Sequence, residues 1–306
     1  MPPAIVVIGN FDGVHRGHRA LLREAVRLSA DPAFVTGPSP LPVVVVTFWP
    51  HPVSVVDPAR APALLVDLPT RLELLRAGGA HEVRVVPFSR QLADQSPPTF
   101  VEGLIAPLHP AVVVVGENFR FGRQARGTPD TLARLGEGRF AVRPIGLVGV
   151  DGRTVSSTAI REDLARGDVA GAAAMLGRWF AVRGVVQMGD QRGRGLGFPT
   201  ANLSVPAGLA VPRDGVYAGW LTRADEPGPP LPAAISVGAN PTFDGHDRRV
   251  EAHVLDRDDL ELYGVDVRLE LAARLRDMVR FDGVDALVAQ MRRDVAATRA
   301  MLGPAR

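Results

Sequence analysis

Residues 8–18 read IGNFDGVHRGH, with two histidines, His15 and His18, three apart among glycines and directly after an apolar run. A glycine-flanked turn that follows a strand lets backbone N–H groups approach a phosphate closely, and a helix starting there adds the positive end of its dipole. Imidazole donors at His15 and His18 would bind more strongly as charge builds on an α-phosphate. Phosphoryl and nucleotidyl transfer rest on positioning and charge stabilisation, so no covalent intermediate is required. The pair alone leaves two other readings open. H-x-x-H is also a zinc-ligand spacing, although no third ligand lies nearby and cysteine is absent. It is equally an ordinary helix start. The full string, with Gly9, Phe11, Asp12, Gly13 and Gly17 in register, is far more specific than either histidine.

Two further stretches could carry chemistry. GDQRGRGLGFPTAN (189–202) is glycine-rich but lacks the G-K-[ST] ending of a P-loop, and by itself reads as a turn region. RRVEAHVLD (248–256) alternates in polarity, which places Glu251 on one face of a strand; taken alone, it is a sheet-surface acid paired with an arginine.

Composition bounds the possibilities. The 306 residues are 46% hydrophobic and 22% charged, the balance of a globular chain of one large or two ordinary domains. No apolar run approaches the ~20 residues of a membrane helix. The start, MPPAIVVIG, has neither the basic segment nor the cleavage site of a secretory signal, and with no cysteine in the chain a cytoplasmic location is expected. Without cysteine, disulfides and thiolate catalysis are excluded. Lysine is also absent, and all 35 basic residues are arginine, which rules out a Walker-A lysine, a Schiff base and a lysine base. The pI of 9.8 reflects arginine's high pKa, because the net charge is only +2 and the arginines are dispersed. No nucleic-acid or membrane partner is expected.

The elements that must position these residues fall into two regimes. In the first half, AIVVIG (4–9), VVVVTF (43–48), HEVRVVPF (81–88), AVVVVGENF (111–119) and FAVRPIG (140–146) read as strands. They alternate with helical segments at 17–29, 68–80 and 97–108 and one over DTLARLGEG. In the first of these, Leu21, Leu22, Ala25, Val26 and Leu28 form the apolar face. Val-rich runs alternating with helices predict a parallel sheet covered on both faces, with ligands beyond the carboxyl ends of its strands. Residues 157–177 read as one helix packed through Ile160, Leu164, Val169 and Ala173. Beyond about residue 180 the chain turns to short strands punctuated by Gly and Pro, as in an antiparallel barrel or sandwich. ADEPGPPLP (224–232) is a loop within this half. A terminal amphipathic helix, 284–302, carries Val284, Leu287, Val288, Met291 and Val295. The domains are therefore expected at 1–180 and 181–306.

GNFDGVHRGH resembles the ATP-binding motif of the nucleotidylyltransferase superfamily. TFWPHP (47–52), LHPAVVVVGENFRFG (108–122), VSSTAIREDLARGDVAGAAAMLGR (155–178), GDQRGRGLGFPTANL (189–203), GVYAG (215–219), GANPTF (238–243), VEAHVLD (250–256) and LYG (262–264) narrow the resemblance. In this order, and over nearly the whole chain, they resemble the bifunctional riboflavin kinase/FMN adenylyltransferases of prokaryotes. That resemblance implies an N-terminal Rossmann-like adenylyltransferase domain and a C-terminal β-barrel kinase domain. It implies riboflavin, FMN and ATP as substrates and magnesium as the ion carried with ATP. Flavin would be substrate and product, not a bound redox cofactor.

The resemblance also assigns roles. His15 and His18 would contact the ATP phosphates, with Asn118 beside them or their magnesium. Ser157, Thr158 and Arg161 would close on ATP from the far side, where related transferases use a lysine-bearing loop; a plain helix cap is the alternative for the serines. TFWPHP, with His51, would line the flavin side. In the kinase half, Gly197 belongs to the ATP loop, Thr200 and Asn202 would hold magnesium and ATP, and Glu251 would be the base. Arg276 matches an arginine near the flavin, and otherwise reads as a helix-surface charge. Met188 and Gln191 depart from the histidine and lysine usual there, and family members carry an extra segment before the first strand. A chain with the adenylyltransferase alone and an impaired kinase is the nearest rival; a non-catalytic flavin or nucleotide sensor is the second.

Overall fold

The computed structural model describes residues 3–35, 37–189, 195–226, 228–239 and 248–303. The chain packs as two units, Met1–Ser157 and Thr158–Arg306.

In the first unit the strands are β1 (Ala4–Ile8), β2 (Val43–Trp49), β3 (Glu82–Pro87), β4 (Pro110–Gly116) and β5 (Ala141–Ile145). They form one parallel sheet in the order β3-β2-β1-β4-β5. The helices between them are α1 (Arg16–Ser29), α2 (Pro52–Val56), α3 (Leu68–Ala77), α4 (Arg90–Ala93), α5 (Pro97–Phe100) and α6 (Pro129–Gly136). α5 continues as a π turn through Val101–Ile105. Alternate residues of β1 feed two cores. Ile5 and Val7 pack with Leu22 and Leu75, whereas Val6 and Ile8 pack with Phe100 and Leu132. Burial on both faces is why the strands read as unbroken valine runs. The strand order reverses between β1 and β4, which opens a crevice at their carboxyl ends.

The second unit is a closed antiparallel barrel in the order β10-β11-β12-β9-β8-β13. Its strands are β8 (Phe180–Gln187), β9 (Ala201–Ser204), β10 (Gly215–Arg223), β11 (Leu231–Ala239), β12 (Arg248–Val254) and β13 (Asp266–Arg276). A short hairpin, β6 (Gly149–Val150) with β7 (Arg153–Thr154), belongs to the first unit. α7 (Ser157–Arg166) and α8 (Val169–Leu176) precede the barrel, and α9 (Val284–Leu302) follows it.

The structure departs from the sequence reading at several points. The helix expected over 157–177 is two, α7 and α8. The chain turns at Gly167, whose φ is +80°, and Asp168 caps α8 through a bond from the Gly171 N–H. α8 packs on the barrel and Arg213 donates to the Leu164 carbonyl, so the packing unit begins before the architectural change expected near residue 180. β9 reads in the sequence only as a glycine-rich turn region; it is a four-residue strand after Pro199. Val26 is 41% exposed. It lies about 100° round α1 from the stripe of Leu21, Leu22, Ala25 and Leu28 that faces the sheet. Val284, in the first turn of α9, is also exposed. Arg276 ends a strand and does not sit on a helix.

The two ends of α1's apolar pattern give a direct test. Leu22→Ala should destabilise the first unit by about 2–5 kcal/mol. Val26→Ala should stay within about 0.5 kcal/mol. Urea unfolding followed by circular dichroism measures both, and equal effects would contradict the assigned helix face.

Candidate functional sites

The β1–α1 turn is built from left-handed backbone. Phe11, Gly13 and Val14 have φ of +52°, +81° and +39°. Such angles cost a non-glycine residue about 1–3 kcal/mol. Phe11 and Val14 are fully buried, which offsets that cost by about 1.5–3 kcal/mol each. The turn delivers His15 to the N-cap of α1, where its Nδ1 accepts the His18 N–H at 3.3 Å. That bond leaves the proton of the neutral ring on Nε2, as a donor. The two imidazoles stack at 3.6 Å between centroids, and Phe11 meets His18 edge-on at 5.1 Å. Gly17 makes room for the stack, because a Cβ there would lie 3.1 Å from the His15 ring. Gly9 likewise leaves space for the Phe11 ring, 3.1 Å from where its Cβ would be.

The Asp12 carboxylate faces inward. It is 2% exposed and accepts the Leu65 N–H at 3.0 and 3.2 Å. Its contribution to the β1–α1 turn is therefore support from beneath. Ser157 Oγ donates to the Asp12 carbonyl at 2.8 Å, tying the SST string to the turn. Thr158 and Arg161 continue along α7 beyond the division between the units. Asn118 is exposed just past the end of β4, the strand beside β1, and its side chain folds back over Gly116. Glu117 accepts the Leu147 N–H at 3.1 Å. His51 caps α2 through Nδ1, which accepts the Val53 N–H at 3.2 Å.

The kinase-half residues meet on one barrel face. Glu251 on β12 stands directly opposite Asn202 on β9 and Ser236 on β11. Directly opposed antiparallel residues carry their side chains on the same face, with Cβ atoms about 5 Å apart. Val250, Ala252 and Val254 alternate with Glu251 and His253 and fill the barrel core. A cavity of about 310 Å³ lies on the outer face, lined by Thr200, Glu251, His253 and Arg276 and by Leu287 and Met291 of α9. Arg276 is held by Asp294 of α9 through Nε at 2.9 Å and Nη2 at 2.6 Å. Asn202 packs against Gly189, where no Cβ would fit. Gly197 turns with φ of +81°. Met188 is 74% exposed, and Gln191 lies outside the described residues.

Sequence reading passed over three further residues. Asp294 is an acid at the i+7 place of the i, i+4, i+7 pattern that begins with Leu287 and Met291, and an acid in an apolar stripe is a legible signal. His253 sits two residues from Glu251 on the same strand face and bonds through Nδ1 to the Pro199 carbonyl at 2.9 Å. Arg71 is fully buried on α3, at i−4 from the buried Leu75. Burial pulls its pKa below the ordinary arginine value, against the opposing pull of Asp12 and Asp67.

Two family models match consecutive parts of the chain, FAD synthetase over residues 1–159 and riboflavin kinase over 176–302. The bifunctional riboflavin kinase/FMN adenylyltransferase of Escherichia coli strain K12 is 36% identical over 98% of this chain and 93% of its own. The chain belongs to that family. It is a bifunctional enzyme of FAD synthesis, with the adenylyltransferase in the N-terminal unit and the riboflavin kinase in the barrel. The family member from Listeria monocytogenes is 33% identical over 97% of this chain and 91% of its own. A crystal structure described as a macrolide-efflux protein from Streptococcus pneumoniae aligns with a TM-score of 0.87 at 32% identity, over 98% of this chain and 95% of that one. Among the described residues no helix is long and apolar enough to cross a membrane.

Gly17→Ala tests the histidine stack. It should lower kcat/KM for FMN adenylylation at least tenfold and leave riboflavin phosphorylation by the same preparation within twofold. Steady-state assays of the two half-reactions check this; unchanged FAD formation would mean the stack is not part of the site.

Proposed function

We propose that the β1–α1 turn and the Glu251 face are the two reaction centres, and that they act in succession. The observation that carries the kinase assignment is the register of β9 against β12, which sets Asn202 opposite Glu251 beside a cavity that also takes in Thr200. In the first step the riboflavin 5′-hydroxyl attacks the γ-phosphorus of ATP. Glu251 takes the hydroxyl proton, the bond to the β-phosphate oxygen breaks, and FMN and ADP result. Arg276, braced by Asp294, faces the flavin.

In the second step an FMN phosphate oxygen attacks the α-phosphorus of another ATP in line, and pyrophosphate leaves with the bond's electron pair. His15 Nε2, His18 and the first N–H groups of α1 share the charge that develops. Asn118 and Ser157 hold the remaining phosphates, and the loop of Trp49 and His51 takes the flavin side.

The donor set suits magnesium. Thr200 offers a hydroxyl and Asn202 an amide oxygen, hard ligands for an ion that keeps several waters and binds chiefly through substrate phosphates. Bound there, it would neutralise phosphate charge. ATP and riboflavin as substrates and a cysteine-free composition support a cytoplasmic setting.

Reciprocal variants test the assignment. Glu251→Gln should cut FMN formation by 10²–10⁴-fold, the range of about that size for a lost general base, and spare adenylylation of added FMN. His18→Ala should do the reverse. Loss of both activities in either variant would contradict the division of labour. Removing divalent ions with EDTA should abolish both steps and added magnesium should restore them; recovery with zinc but not magnesium would contradict the oxygen-ligand reading.

A further inference from the structure

Arg71 is the largest fully buried side chain of the described residues, and it lies between the two loops assigned to substrates in the N-terminal unit. On one side its Nη2 is 3.8 Å from Asp12 Oδ1, beneath the phosphate turn. On the other, Nη1 donates to the Phe48 carbonyl at 3.3 Å and the guanidinium lies over the Trp49 ring at 5.5 Å, at the start of the flavin-side loop. Its Nε and Nη2 are buried and find no hydrogen-bond partner among the described residues. A buried guanidinium normally satisfies its donors, so unused ones are costly.

The Asp12 contact is the unusual one. At 3.8 Å the pair is within ionic reach but outside the 2.7–3.2 Å of a hydrogen bond. The Asp12 carboxylate meanwhile holds the Leu65 N–H. A shift of the turn by about 1 Å would bring Asp12 into hydrogen-bond range of Nη2. The same guanidinium positions Phe48 and Trp49, so that shift is felt at the flavin loop.

We propose that Arg71 is a positioning residue that couples the ATP-binding turn to the FMN-binding loop, so that each substrate raises the affinity for the other. This rests on the assignment of those two loops made above. Coupling is a free energy shared by the two sites and is therefore reciprocal. ATP must raise FMN affinity by the same factor as FMN raises ATP affinity. Arg71 touches no reacting atom, and its effect falls on binding more than on kcat.

Equilibrium titrations of the full chain with a non-hydrolysable ATP analogue, with and without saturating FMN, test this in wild type and Arg71→Lys. A Glu251→Gln background, with the ADP product added, keeps the barrel's site occupied. Wild type should show mutual tightening of at least fivefold, and Arg71→Lys, which keeps the charge but loses the fork, less than twofold. A kcat for adenylylation within threefold of wild type and unchanged riboflavin phosphorylation in the otherwise wild-type background would show that the chain is intact. Equal coupling in both proteins, or none in wild type, overturns the proposal. Failure of wild type to make FAD from FMN would instead sink the site assignment on which it rests.

A second measurement needs no change at Arg71. With Trp179→Phe and Trp220→Phe, Trp49 is the sole indole, since the chain has three Trp residues. The ATP analogue alone should then shift Trp49 emission; a silent Trp49 on saturation with the analogue overturns the proposal.

Discussion

The proposed adenylyltransferase site depends on one constraint: the chain must leave β1 and begin α1 within a few residues, with the helix N-terminus beside the strand ends. Left-handed backbone at Phe11, Gly13 and Val14 achieves this, at a cost that bulky residues normally avoid. Burial of Phe11 and Val14 on one side, and the Asp12–Leu65 bond on the other, hold the turn closed. The histidine stack follows, since Phe11 sets the edge of His18 and Gly17 leaves room for His15. Donors fixed this way need no reorganisation as charge develops, which is where preorganised sites gain most.

The barrel solves a different problem with the same economy. Its core takes every second residue of β12, and the alternate residues stand on the face covered by α9. A one-residue slip would exchange the two sets, so burial of Val250, Ala252 and Val254 fixes Glu251 on the outer face. α9 is itself anchored through Asp294 to Arg276, at the end of β13. The proposed base Glu251 and the proposed magnesium ligand Asn202 therefore share one register.

Much of this was legible in the sequence because each signal was local. Val-rich runs marked strands buried on both faces, and the glycine-histidine string marked the turn. What escaped reading was tertiary. β9 is short and follows a proline, so neither length nor alternation betrays it. Val26 carries an apolar side chain on the wrong side of a helix whose orientation only the sheet decides. The burial of Arg71 depends on Asp12, Phe48 and Trp49, all distant in sequence. The glycine that divides α7 from α8 sits in a helix-like pattern, where a single Gly does not by itself announce a break.

One chain is proposed to run two consecutive transfers, with FMN as product of the barrel and substrate of the β1–α1 turn. The most direct measurement is a time course with riboflavin, magnesium and ATP labelled only in its γ-phosphate, resolved by chromatography with fluorescence and radioactivity. Labelled FMN should appear first, then FAD carrying one label per flavin, inherited through FMN, and an unlabelled adenylate. FAD without label, or FAD that precedes FMN, would contradict it.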